Sequence, residues 1–166
     1  MTTLPARFWG SLVFAGLLVL GGVSPVFAVP PVSTTYQMQG TQVLADCNGF
    51  QVFDDYDATV VKTDYYDKAG NRVEIHLAIN GTDTYRQSVT GQSITMGSHF
   101  MVHIDTQTMM NSSSGMQYHL TIPGLGHVLL DAGRTVYDLN AQDFVFLAGT
   151  HQVATGDTAS LCAAFS

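Results

Sequence analysis

The 166-residue sequence predicts an all-β fold, a single antiparallel β barrel or two-sheet sandwich with a short C-terminal helix, preceded by a cleavable signal peptide. Three observations predict the β domain. Apolar and polar side chains alternate at period two along most of the chain, turn-forming residues punctuate that alternation at regular spacing, and no long stretch repeats at the helical period.

The N-terminal segment carries one basic residue, Arg7, then an apolar run over 8–23, the breakers Ser24 and Pro25, and Val26-Phe27-Ala28. Small residues at the −3 and −1 positions after a short apolar stretch are what a signal peptidase accepts, which places cleavage after Ala28 and the mature protein outside the cytoplasm. A retained anchor would need roughly 20 apolar residues. This run is shorter and is broken by Gly10, Gly16, Gly21 and Gly22. The chain thus divides into a signal peptide over 1–28, an extended lead-in over 29–41 and a single β domain over 42–166, a size that folds alone.

In the domain, Phe50, Val52 and Asp54 share one side of a first strand, and a second covers 59–66 up to a turn at Asp67-Lys68-Ala69-Gly70-Asn71. The clearest alternation is 72–80, with Val73, Ile75, Leu77 and Ile79 facing one way and Glu74, His76 and Ala78 the other. Asn80-Gly81 then reads as a tight hairpin turn. Further strands are expected over 82–89, 92–96, 99–108, 116–122, 127–131, 134–139 and 144–148. Asn111-Ser112-Ser113-Ser114-Gly115, Pro123-Gly124-Leu125-Gly126 and Ala132-Gly133 supply the turn chemistry between them. Asp157 or Thr158 caps a short helix through Leu161, Cys162 and Phe165, which lays Cys162 against the sheet.

The net charge is −7, and beyond the leader the cations are only Lys62, Lys68, Arg72, Arg86 and Arg134, scattered along the chain. Counterion release needs clustered cations, so nucleic acid is excluded as a partner, and once the leader is cleaved no membrane association is expected. The two cysteines, Cys47 and Cys162, both lie in the exported part, and in an oxidising compartment they most simply pair with each other. Their separation is far too wide for a redox-active thiol pair.

The segments Cys47-Asn48-Gly49-Phe50, Ile122-Pro123-Gly124-Leu125-Gly126-His127-Val128-Leu129-Leu130-Asp131-Ala132-Gly133-Arg134 and Leu161-Cys162-Ala163-Ala164 resemble a family of uncharacterised, secreted, β-rich bacterial proteins. The resemblance covers 47–165 and implies the pairing of Cys47 with Cys162. It implies no activity.

Catalytic signatures are missing from the sequence. There is no Gly-x-Ser-x-Gly elbow, no His-Glu-x-x-His, no phosphate-cradling glycine loop and no Cys-x-x-Cys. The sharpest feature is 99–105, where alternation puts His99, Met101, His103 and Asp105 on one face and Phe100, Val102 and Ile104 on the core side. Strand neighbours two apart sit roughly 6.6 Å from each other and those four apart roughly 13 Å, so His99 and His103 cannot hold one ion together. If the 111–115 connection closes a hairpin, His119 comes near His103. Met101, His103 and His119, with Asp105 beside them, then form a candidate copper or zinc site. The same residues also read as ordinary polar positions on a solvated face. Asp54-Asp55-Tyr56-Asp57 with Asp64-Tyr65-Tyr66-Asp67 reads as a solvated acidic edge rather than a calcium or sugar site, because no calcium loop is present. His76, His127 and His151 read as isolated surface or turn residues.

The expected function is therefore a secreted, non-catalytic binding or structural β module that takes a small apolar ligand or a protein partner, with a cavity lined by Phe100, Tyr118, Leu120 and Phe146. One alternative is the copper or zinc site just described. The other is a small enzyme in which His99, His103 or His119 acts as general base beside Asp105.

Overall fold

The structure is a computed structural model that describes residues 29–166, and the expected signal peptide lies outside the described residues. Seven strands follow in chain order: β1 (Val32–Asp46), β2 (Gln51–Tyr66), β3 (Arg72–Gln87), β4 (Ser93–Asp105), β5 (Met110–Ile122), β6 (Gly126–Asp138) and β7 (Asp143–His151). Two short helices, α1 (Gln152–Thr155) and α2 (Ala159–Ala164), end the chain. Every strand is antiparallel to its neighbour, and the strands lie in one sheet in sequence order. The fold is all-β, as the alternation predicts. Neither a closed barrel nor a two-sheet sandwich forms, because β1 and β7 do not pair and the sheet stays open.

The open sheet is nevertheless strongly curled. Gln42 on β1 donates through Nε2 to the Tyr118 hydroxyl on β5 at 2.9 Å. In a flat sheet, strands four places apart lie roughly 19 Å from each other, so this bond exists only if the sheet wraps round an inner face. Two apolar clusters fill that face. One gathers Val52, Tyr85, Leu120, Leu129, Leu161 and Phe165, and the other is built on Ala58, Val60, Ile79 and Val102. Helix α2 packs against β6 and β1 and inserts Leu161 and Phe165 beneath the first cluster. Cys162 on α2 is bonded to Cys47 just after β1, with 5.3 Å between their Cα atoms. Gln87 donates to the Phe165 carbonyl and ties the same corner to β3. Among the described residues, no helix is long and apolar enough to cross a membrane.

The strands are longer than the sequence reading makes them. The lead-in over 29–41 is mostly β1, paired along its length with β2. The expected hairpin at Asn80-Gly81, the connection over 111–115 and the turn at Ala132-Gly133 all lie inside strands. Glycine has another use in these places. Gly115, Gly133 and Gly149 face one another across β5, β6 and β7, with φ of 119°, 136° and 115°. A Cβ at Gly115 would lie 2.8 Å from the His99 carbonyl oxygen, and one at Gly133 would run into the Ala148 carbonyl. The stripe is a crease across three strands, and such glycine kinks bend a sheet without ending it. Gly133→Ala is expected to lower stability by roughly 3 kcal/mol in a urea titration, from a disallowed φ and a displaced β7. An unchanged midpoint would show that the crease is not needed.

Candidate functional site

Between the two apolar clusters the inner face turns polar. On β2, alternation carries Val52, Asp54, Tyr56, Ala58 and Val60 inward, and on β3 it carries Ile79, Gly81, Asp83 and Tyr85. Asp54 pairs with Tyr85 and Tyr56 with Asp83, which makes the two aspartates diagonal neighbours on one face. Asp54 is 0% exposed and Asp83 6%. Gln42 donates to Asp54 Oδ2 at 2.9 Å, but Asp54 Oδ1 and Asp83 Oδ2 are buried with no hydrogen-bond partner. A buried carboxylate oxygen to which no protein group donates is costly.

The electrostatics follow from this burial. Loss of solvent and then the nearby Asp54 push the Asp83 carboxyl up to about 6, with Ser98 pulling weakly the other way. Burial raises Asp54 too, against the hydrogen bond from Gln42. Burial also pushes the Tyr118 hydroxyl up to about 12 and raises that of Tyr85, which accepts a bond from the His119 amide at 3.2 Å. Two carboxylates held this close in a dry place resist ionising together.

Both aspartates line a cleft of about 210 Å³, together with Gln42, Ser98, Gln117 and Tyr118. Its remaining walls are Met38, Tyr56, Ala58, Ile79 and Phe100. The expected apolar cavity therefore exists in part. Phe100 and Tyr118 line it, whereas Leu120 is fully buried in the core and Phe146 is exposed on the edge strand β7.

The acidic stretch is not a solvated edge, because β1 covers β2 on its outer side. Asp54 faces the cleft, Asp64 is buried beside Lys62 at 2.7 Å, and Asp55 receives two bonds from Arg86. Asp67 holds the β2–β3 turn by accepting from the amides of Ala69 and Asn71.

The outer face carries His76, His99, His103 and His119. Phe100, Val102 and Ile104 pack inward and the intervening residues point out, as predicted. The set Met101, His103 and His119 is not brought together. His103 stands opposite Ser112 on β5, because the hairpin closes at 106–109 rather than at 111–115. His119 therefore lies seven residues further along that strand, roughly 24 Å away. Asp105 spends Oδ1 on the Gln107 and Thr108 amides, and His99 bonds through Nδ1 to Asn80. None of His99, His103 and His119 lines the inner cleft.

Two histidines read as isolated have close partners. His76 pairs with His103 across β3 and β4, their rings stacked at 4.0 Å and 5°, and its Nε2 lies 2.9 Å from Glu74 Oε1. Burial, then His76, lowers the pKa of His103. His151 is not at the surface: its Nδ1 meets Asp131 Oδ1 at 2.8 Å inside the protein.

No protein-family model, no curated protein and no solved structure matches this chain. Its function therefore has to be read from the site alone.

Proposed function

We propose that this chain is an extracytoplasmic, non-catalytic binding module whose curled sheet holds a small amine with an apolar body. The carrying observation is the pair of unpartnered buried oxygens, Asp54 Oδ1 and Asp83 Oδ2, on one wall of the cleft. A protonated amine supplies the donors both lack and the charge that lets both ionise. Phe100, Ile79 and Met38 offer apolar surface for its body, and the rings of Tyr56 and Tyr118 favour a cation nearby. The net charge of −7 draws cations toward the protein. The disulfide and the predicted leader support placement outside the cytoplasm.

Titration with benzylamine and, as a neutral mimic of the same shape, benzyl alcohol tests this. Benzylamine is expected to bind at least tenfold more tightly at pH 7.5. Below about pH 6 it must displace the proton on Asp83, so its affinity falls toward a tenfold loss per pH unit while that of the alcohol stays level. Asp83→Asn is expected to erase the preference. Equal binding of the two probes, or none, refutes the amine reading.

A further inference from the structure

On the opposite face of the sheet, we infer that Glu74, His76 and His103 form a binding site for a divalent transition-metal ion, zinc or copper(II). One ligand atom from each of the three lies within 4.8 Å of the others. The geometry arises from the ladder. His76 and His103 are directly opposed on β3 and β4, and Glu74 precedes His76 by two residues on the same face. All three are fixed by central strands, paired on both sides, so the backbone holds the ligands without a loop having to order.

The surroundings of the His76 ring add to this. His76 Nε2 is buried and has no hydrogen-bond partner, although Glu74 Oε1 is only 2.9 Å away, because the two are not aligned for a bond. An ion between them would bond this nitrogen, the carboxylate and the second imidazole at once. Two imidazoles and one carboxylate are a donor set that suits zinc or copper(II), with a fourth position left for water or an outside ligand. The stacked rings aim their lone pairs side by side, so binding requires each ring to swing about χ2, a soft torsion for histidine. Tyr65, tilted against His76 at 4.5 Å, is the neighbour that shifts with it.

The purified chain, stripped with chelator and titrated with zinc chloride by calorimetry, is expected to bind one ion. His103→Ala and Glu74→Gln are expected to weaken binding by tenfold to a hundredfold, and Met101→Ala and His119→Ala to leave it within twofold. In the wild type, copper(II) is expected to broaden the imidazole resonances of His76 and His103 selectively, a readout that does not depend on any variant folding. The site is overturned by an absence of binding, by affinity indifferent to His103→Ala, or by broadening centred on another histidine. The cleft on the inner face has no part in this site, so either can fail alone.

Discussion

Replacing Cys47 and Cys162 together by serine is expected to remove about 4–5 kcal/mol of stability, the largest effect of any change considered for this domain. The bridge closes 115 residues and so restricts the unfolded chain over nearly the whole sheet. It also anchors α2, whose Leu161 and neighbouring Phe165 are 0% and 1% exposed and would leave a hole if the helix lifted. Urea denaturation should show the double variant coinciding with the reduced wild type, both well below the oxidised protein. A midpoint that ignores reductant would mean that packing alone holds α2.

Asp131→Ala is the second large effect, an expected loss of about 3–5 kcal/mol. Asp131 Oδ1 meets His151 Nδ1 at 2.8 Å, with the two side chains 3% and 4% exposed. Its Oδ2 accepts from the amides of Val153 and Ala154 at 3.0 and 3.3 Å and so caps α1 from β6. Removing it strands an imidazole and two helix amides in a dry place. Burial pushes the His151 ring down, but the bonds to Asp131 and the Ala148 carbonyl outweigh it and leave the ring raised above 6.5. A raised histidine adds stability that is fully present below 6.5 and is lost as pH climbs through the folded value. Asp83 acts in the same sense, since between 3.8 and about 6 the native state holds a proton that the unfolded chain releases. The lowered His103 acts in the opposite sense below 6.5, but it is one partly buried group against the raised His151 and Asp83. Melting is therefore expected at a higher temperature at pH 5 than at pH 8. Asp131→Ala should flatten the upper part of that dependence and Asp83→Asn the lower. A wild-type melting temperature that rises from pH 5 to pH 8 would contradict both assignments.

The faces of the strands were legible in the sequence and their ends were not. Alternation alone puts Ile75, Leu77 and Ile79 with Phe100, Val102 and Ile104 inside, and the cysteine count alone gives the bridge. The ends fail because glycine stands for two things. At Gly70 and Gly124 it turns the chain, while at Gly81, Gly115 and Gly133 it lets two backbones approach inside a strand, and a single sequence shows both as one letter.

The candidate site suffers from the same ambiguity. Alternation puts Asp54 with Val52 on one face of its strand, where the structure has it. The strand expected there stops before position 59, whereas β2 runs on through Ala58 and Val60, whose burial on the same side sets the carboxylate in the middle of a core face. Asp83 lies inside β3, just past the turn expected at Asn80-Gly81, and the continuous strand puts it on the face of Ile79 and Tyr85. His76 and His103 each sit where alternation puts them, but only the register of β3 against β4 brings them together.

The meander has a bearing on how the protein is made. Each strand bonds only to the one before and after it in the chain, so the sheet is able to zip up in the order of synthesis, one hairpin at a time. The thiol of Cys47, by contrast, waits through the six strands β2 to β7 before its partner arrives. Until then its expected competitor under oxidising conditions is the Cys47 of another chain. Dimers linked Cys47 to Cys47 are therefore the expected by-product of oxidative refolding.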